Sequence, residues 1–355
     1  MAFQLTIEPL GETIEVADGQ RVLDACLRAG IWLPYACNHG LCGTCKVQVL
    51  EGEIEHTDDA SPFALMDIER EEGKCLACST VLVTDCVIEA DIDPEPDAVN
   101  HPIRDFTATV TRIETLTPTI KGIFLSLPGT GLDFQAGQYI NVNVPGIEGP
   151  RAFSIASSPA ARNTLELNVR RVDGGAATTY LCERLNVGDT VSCSGPLGRF
   201  FVRESAPEPL LFLAGGSGLS SPKSMIEDRF ERGETRPVTL IYGARNFSEL
   251  YYAERFRALA ARHANFTYVS VLSEPQADAQ WNGEIGFVHD AAARHFNARF
   301  EGHKAYLCGP PPMIEACIRT LMQGRLFERD IYTEKFLTAA DAAQGLAKSP
   351  LFKRL

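Results

Sequence analysis

Long apolar runs are missing from this sequence. Runs such as residues 209–213 are far too short for a helix to cross a bilayer. No basic stretch followed by an apolar one stands near the start, which reads MAFQLTIEPLGETIEV. A cytoplasmic protein without a secretory leader or a membrane anchor is therefore expected. Positive charge is scarce in the first part of the chain. Residues 1–97 carry 20 acidic and 5 basic side chains, a net of −15, which leaves +2 for the remainder of a chain whose total is −13. Phosphate backbones are bound by basic surface, so nucleic acid is not an expected partner. The acidic first part suggests instead electrostatic docking to a protein. A bias toward disorder is also lacking. The 11 cysteines are odd in number and unevenly spread, unlike a secreted disulfide scaffold.

The 355 residues that are present suggest two or three domains. Residues 3–9 and 12–16 alternate around a glycine turn and predict a β-hairpin. Helical spacing over 21–29 ends at Gly30. A strand at KVQVLEG, a helical segment over 62–71 and a strand over 81–89 complete a compact mixed α+β domain. The stretch 91–102 is acidic and contains proline, without periodicity, and reads as a linker. Short alternating segments follow (TATVTRIETL, IKGIFLSL, QYINVNV, RAFSIAS, LELNVRRV, DTVSCSGP), interrupted by one helical piece, 178–185. They predict a small antiparallel β-barrel. From Pro209 onward, apolar strands (LLFLAG, VTLIYGA, TYVSVL, KAYLCG) alternate with helical segments at 221–233, 251–263 and 310–324. That alternation predicts a parallel α/β sheet. The expected division is 1–93, a linker at 94–101, 102–206, 207–337 and a tail at 338–355.

The stretch PYACNHGLCGTCKVQV places Cys37, Cys42 and Cys45 in the spacing C-x4-C-x2-C, with Cys75 and Cys78 further on. This is the plant-type [2Fe–2S] pattern. Each iron takes two thiolates, so four must converge on a small rigid core. Gly40, Gly43 and Thr44 let the backbone wrap closely and aim N–H groups at the sulfurs, with glycine supplying positive φ. Spacing alone leaves the fourth ligand open between Cys75 and Cys78. Cys78 is preferred because it closes an L-x-C pattern that plant-type ferredoxins use before their last ligand. A zinc site pairing Cys42–Cys45 with Cys75–Cys78 is the alternative, but it leaves Cys37 and the small-residue loop without a purpose. His39 reads as a polar loop residue. Cys26, Cys86, Cys182, Cys193 and Cys317 read as small buried hydrophobes.

Two further signatures follow. In the barrel, Arg151, Phe153 and Ser154 offer a flavin a cation for its phosphate, an aromatic for its ring and a hydroxyl for its edge. Gly175 and Thr178 lie on a glycine turn feeding a helix, where backbone N–H groups suit an anion. In the third part, AGGSGLSSP is a strand, a turn and a helix, with Gly216 and Gly218 placed for a pyrophosphate. It is not a complete G-x-G-x-x-G, because position 221 is serine. Cys308, Gly309 and the prolines after them end a strand at the sheet edge where ligands sit in open α/β folds.

Taken in this order, the cysteine loop, RAFS, GGSG and CGPPPM resemble the ferredoxin–NADP reductase-type reductases of bacterial multicomponent oxygenases over essentially the whole chain. The longer runs SPFALMDIER, AGGSGLSSP, YLCGPPPMI and TLMQGRLFERDI resemble the phenol hydroxylase branch of that family. The resemblance implies a β-grasp ferredoxin-like domain, an FAD-binding barrel and an NADH-binding α/β domain. It implies a [2Fe–2S] cluster on Cys37, Cys42, Cys45 and Cys78. For FAD it implies Arg151, Phe153, Ser154, Gly175 and Thr178, and for the nicotinamide nucleotide Gly216, Gly218, Cys308 and Gly309. Glu334 and Phe336 resemble the family's C-terminal E-x-aromatic, which lies over the flavin. Here a tail follows Phe336, and the interval between the third and fourth cysteines is longer than in plant ferredoxins. Ser154, Cys308, Glu334 and Phe336 are thus the expected catalytic set. NADP-using members resemble S-R where this chain has Ser273-Glu274, and the Glu274 carboxylate would repel a 2′-phosphate, which favours NADH. A hydride carries two electrons and such a cluster accepts one, so a flavin must divide the pair. The implied acceptor is a diiron aromatic hydroxylase, with a Rieske-type ring-hydroxylating dioxygenase as the alternative partner. A zinc-stabilised binding module is the alternative outside enzymes.

Overall fold

The computed structural model describes residues 2–35, 40, 42–57, 60–92, 95–275 and 281–336. Cys37, His39 and the tail 338–355 lie outside the described residues. The chain divides into two compact units that meet in sequence at Arg104–Asp105.

The first unit carries the expected hairpin, β1 (Ala2–Glu8) and β2 (Glu12–Ala17), and the expected helix, α1 (Val22–Arg28). Then come β3 (Lys46–Glu51), β4 (Ile54–His56), α2 (Asp67–Glu71), β5 (Lys74–Leu76), β6 (Thr80–Leu82) and β7 (Cys86–Glu89). The main sheet runs β2-β1-β7-β3-β5, and β4 pairs with β6 in a separate ribbon. Two expectations are corrected. The helical segment over 62–71 shortens to Asp67–Glu71, because 62–65 form a turn whose Ala64 and Leu65 amides both bond the Ser61 carbonyl. The single strand over 81–89 is two strands broken by a bend at 83–85. Helix α1 packs on the sheet through Val22, Leu23 and Cys26, all at most 1% exposed, each such buried side chain contributing about 1.5–3 kcal/mol.

The second unit opens with β8 (Arg104–Thr115), β9 (Ile120–Ser126), β10 (Tyr139–Asn143), β11 (Arg151–Ser154), β12 (Thr164–Arg170), helix α3 (Ala176–Glu183) and β13 (Thr190–Leu197). Their order is β11-β10-β13-β8-β9-β12, and a bridge between Ile155 and Leu167 brings the two edges together into a near-barrel. Leu165, Leu167 and Val169 of β12 point into its core.

A parallel sheet follows: β14 (Leu210–Gly215), β15 (Val238–Ala244), β16 (Phe266–Leu272), β17 (Glu284–Ile285), β18 (Lys304–Gly309) and β19 (Ile331–Lys335), in the order β17-β16-β15-β14-β18-β19. Helices α4 (Ser220–Glu231) and α5 (Ala253–Arg262) cover one face, and α6 (Val288–His295) and α7 (Pro311–Gln323) the other. Side chains alternate across β14 accordingly: Leu210, Phe212 and Ala214 face the first core, Leu211 and Leu213 the second. Sequence reading missed α6, β17 and β19, which are short or polar. Strand order reverses between β15 and β18 on either side of β14, so the crevice for a ligand lies at the carboxyl ends of β14 and β18. Phe212, Tyr306 and Tyr332 stack in register across β14, β18 and β19, with ring centroids 5.1 Å apart at each step. That ladder sets the register of β19, and two residues on it places Glu334 beside Cys308. A slip of one residue would turn Glu334 to the opposite face.

Candidate functional site

In the first unit, the Ala77 amide donates to the Cys45 carbonyl at 2.9 Å. The bond draws the loop before β3 against the turn Ala77–Ser79, which carries Cys78. The Cys45 and Cys78 thiols are hydrogen-bonded to one another, Cys42 acts electrostatically on Cys45, and the Gly40 amide points at the Cys78 sulfur. Cys42 Sγ donates to Thr44 Oγ1 at 3.2 Å. Gly40 and Gly43 hold φ of 77° and 74°, and a Cβ on Gly43 would stand 3.0 Å from the Ala64 carbonyl oxygen. Cys75 sits elsewhere. It pairs with Val47 in the sheet, its thiol meets Thr80, and burial pushes its pKa up to about 11. Cys78 is therefore the cysteine that meets Cys45 directly.

Small glycine-rich backbone, an amide aimed at sulfur and thiols on two facing loops suit a two-iron cluster, whose ligands divide two and two. The zinc alternative needs Cys42, Cys45, Cys75 and Cys78 around one ion. Cys75 instead lies in the sheet opposite Val47, with its thiol on Thr80. Phe63, which is 97% exposed, and Met66 are exposed apolar side chains of this unit.

In the second unit, Arg151, Phe153 and Ser154 lie on β11, the edge strand of the near-barrel. Arg151 is exposed and its Nη1 donates to the carbonyls of Glu148, Gly149 and Pro150 at 3.0–3.1 Å. Phe153 is half-buried, and Ser154 is buried. Gly175 is the N-cap of α3, and Thr178 Oγ1 accepts from the Val172 amide at 3.1 Å while donating to the Gly175 carbonyl at 3.1 Å. A Cβ at Gly175 would stand 2.7 Å from Thr178 Oγ1. An exposed cation, an aromatic and a tight turn opening a helix suit a flavin with its phosphates.

The nucleotide side is built from the turn Gly216–Leu219 at the end of β14. Gly218 must be glycine, since a Cβ would lie 2.3 Å from the Cys308 carbonyl oxygen. A cleft of about 160 Å³ opens here, lined among others by Gly215, Gly216, Pro310 and Met313. Two basic residues that sequence reading missed also line it: Arg170 from the end of β12 and Arg245 just after β15. Their signal was position, a cation directly at the carboxyl end of a strand. Glu274 is exposed, and its amide donates to the Arg245 carbonyl at 2.7 Å. A carboxylate and a guanidinium residue thus stand together on neighbouring strand ends.

Between the barrel and the sheet, one carboxylate gathers four chain segments. Glu334 is half-buried as a residue but its carboxylate is enclosed. Its Oε2 accepts from Ser154 Oγ at 3.1 Å, from Cys308 Sγ at 3.5 Å and, at closer range, from Ser221 Oγ. Burial raises the Glu334 pKa above the ordinary carboxylate range, while the hydroxyls of Ser221 and Ser154 and the Cys308 thiol pull it down. Burial likewise pushes the Cys308 thiol well up, so it stays protonated and donates. Ser154, Cys308 and Glu334 were singled out in sequence. Ser221 had counted there only as the residue that breaks the glycine pattern; in the structure it is a member of the cluster. Phe336, on the same strand end, donates its amide to the Gly309 carbonyl at 2.9 Å and is half-buried.

Three family models match this chain: a 2Fe-2S iron-sulfur cluster binding domain over residues 5–83, an oxidoreductase FAD-binding domain over 107–202 and an oxidoreductase NAD-binding domain over 212–319. The chain is 58% identical, over 100% of both chains, to the reductase component of phenol 2-monooxygenase from Pseudomonas sp. (strain CF600). It is 56% identical, again over 100% of both, to a phenol hydroxylase protein of Acinetobacter pittii (strain PHEA-2). Among solved structures, the cytochrome P450 reductase of Amycolatopsis superposes with a TM-score of 0.83 at 36% identity, covering 94% of this chain and 98% of that one.

Proposed function

The chain belongs to the family of phenol hydroxylase reductase components, iron–sulfur flavoproteins of the oxidoreductase class, and from that premise we propose how its own residues carry the activity. The protein is an NADH-dependent electron-transfer reductase that passes electrons from NADH to FAD, to a [2Fe–2S] cluster and on to an oxygenase component. The flavin supplies the conversion of a two-electron donor into a one-electron stream, which the cluster delivers. We assign residues 1–93 to the cluster domain, 94–101 to a linker, 102–206 to the flavin domain and 207–337 to the nucleotide domain.

Within this reading, Cys42, Cys45 and Cys78 hold the cluster together with Cys37. Arg151 neutralises flavin phosphate, Phe153 packs on the ring system, and the α3 N-terminus with Gly175 and Thr178 receives the pyrophosphate. Gly216 and Gly218 let the nucleotide approach backbone N–H groups, with Arg170 and Arg245 supplying positive charge. Ser154, Ser221, Cys308 and Glu334 form one buried hydrogen-bonded group that fixes donors and an acceptor where the barrel faces the sheet. Such preorganised dipoles cost no reorganisation during reaction. Phe336 covers this place from the end of β19. Glu274 opposes a 2′-phosphate and favours NADH.

The observation that carries the proposal is the Glu334 cluster, because it joins a flavin-barrel strand, the nucleotide turn's helix and two strands at the switch point. The acceptor is a diiron hydroxylase that docks on the acidic first unit, and the protein works in the cytoplasm. No helix among the described residues is long and apolar enough to cross a membrane. The test is anaerobic titration of purified protein with NADH, followed by visible and electron paramagnetic resonance spectra. Bleaching of the flavin, then the signal of a reduced [2Fe–2S] centre, is expected. Iron and acid-labile sulfide missing from freshly prepared protein would defeat the proposal. Salt-dependent reoxidation by a diiron hydroxylase, compared with a Rieske-type dioxygenase, decides the acceptor.

A further inference from the structure

Strand β12 has an unusual second face. Leu165, Leu167 and Val169 enter the barrel core, so Glu166, Asn168 and Arg170 point the other way. On most barrel strands such residues meet water. Here Glu166 and Asn168 are each only 6% exposed, because helix α4 of the nucleotide sheet lies against them. Lys223, on the first turns of α4, is 2% exposed. Its Nζ donates to Glu166 Oε2 at 3.0 Å, to the Ala156 carbonyl at 2.8 Å and to Glu227 Oε2 at 3.2 Å. Glu166 Oε1 accepts from Asn168 Nδ2 and from Tyr252 Oη, each at 2.7 Å.

The network ends on the glycine turn from both sides. Asn168 meets Ser220 at 3.5 Å, and Ser220 Oγ donates to the Ser217 carbonyl at 2.8 Å. Tyr251, next to Tyr252, donates to the Gly216 carbonyl at 3.4 Å. Tyr252 itself holds φ of 56°, a left-handed conformation that a bulky residue rarely adopts. Apolar residues of similar volume would fill such a seam with equal or greater stability, since a buried ion pair seldom adds net stability. What a directional network adds is register.

We propose that Glu166 and Lys223 are positioning residues. Together with Tyr252 and Asn168 they hold the turn Gly216–Leu219 at one height against barrel strand β12, and so set where a nucleotide on the turn meets a flavin on the barrel. The inference rests on the NADH-to-flavin reading above. It adds that the alignment is set by polar residues that need touch neither cofactor. Hydride transfer is sensitive to such alignment, since a displacement of about 1 Å can cost roughly 100-fold in rate.

Two variants of the full holoprotein test it. Glu166→Leu combined with Lys223→Met removes both charges at once, leaving no cation facing an empty site. Glu166→Gln keeps an acceptor for Tyr252 and Asn168 and removes the charge together with the oxygen that accepts from Lys223. Stopped-flow reduction by NADH gives a limiting rate and a dissociation constant, and the long-wavelength absorbance of the reduced flavin with NAD⁺ reports how the rings overlap. The double variant is expected to lower the limiting rate by about 10- to 100-fold and to weaken that absorbance, with the dissociation constant changed less than about threefold. Glu166→Gln is expected to fall between it and the parent. A parental limiting rate with unaltered absorbance in the double variant overturns the inference. Should the double variant lose its flavin or its cooperative melting, Glu166→Gln decides, and a parental rate and absorbance there overturn it equally. A parent chain whose flavin is not reduced by NADH defeats the functional reading itself, which separates that failure from this one.

Discussion

The cysteine loop and the Glu334 cluster are built in opposite ways. The first gathers Cys42 and Cys45 from neighbouring positions and closes on Cys78 through a short stretch of one small unit. The second gathers Ser154, Ser221, Cys308 and Glu334, with Ser154 and Glu334 180 residues apart. The loop is tied by its own backbone, through glycines with positive φ and the Ala77–Cys45 bond. The cluster exists only because β19 is in register with β18 and because α4 is seated on the barrel. A local site survives changes elsewhere in the fold, whereas an assembled site is sensitive to every contact that sets the register of its parts.

This contrast can be broken most decisively at the cysteines. Cys78→Ser is expected to abolish the cluster, read as loss of iron, acid-labile sulfide and the paramagnetic signal, while NADH still bleaches the flavin. Cys75→Ser is expected to keep the cluster. The reverse pattern would show that the fourth ligand has been misassigned. Next in size is Glu334→Ala, which removes the acceptor shared by three donors and leaves them unpaired. The limiting rate of flavin reduction should fall by roughly 100-fold with iron content unchanged.

Gly218→Ala sharpens the comparison at one atom, because its Cβ would stand 2.3 Å from the Cys308 carbonyl oxygen. Overpacking of this kind costs about 1–3 kcal/mol, and it should raise the KM for NADH while sparing the cysteine loop. Gly43→Ala should do the converse, disturbing cluster content and not the NADH kinetics.

The smallest effect lies at Glu234. Burial alone would raise its pKa, yet hydrogen bonds and charge from Arg236, with Arg229 adding to them, lower it from 4.5 to about 2. A carboxyl depressed on folding adds stability that is complete above its ordinary value and is lost as pH falls through the folded one. The second unit should therefore lose stability between about pH 4.5 and pH 2. Glu234→Gln should flatten that loss and lower stability by roughly 2 kcal/mol at neutral pH, measured by melting at several pH values. An unchanged acid profile would show that this pair does not govern it.

Most of the architecture was legible in the residues. Alternation identified the hairpin, the barrel strands and the parallel sheet, since period-2 patterns and apolar runs report burial directly. The helix over 62–71 was overestimated because its spacing was helical while its first residues were committed to a turn on Ser61. Strand β19 escaped notice because IYTEK is half polar, and its place depends on the aromatic ladder with Tyr306 rather than on its own pattern. Ser221 and the β12 seam escaped for a related reason. LELNVR reads as a strand with one wet face, and nothing local says that a second domain will cover that face.

The sequence by itself determined the chemistry available to this protein: thiols at cluster spacing, a flavin strand, a nucleotide turn and the order in which they follow one another. Those are short-range properties, set by residue type and by backbone freedom at a few glycines. Only the tertiary structure decided that Ser221 joins Glu334 and that the polar face of β12 is sealed by Lys223. Each of these depends on the register between elements far apart in the chain, and register is fixed by packing across an interface that no local pattern encodes.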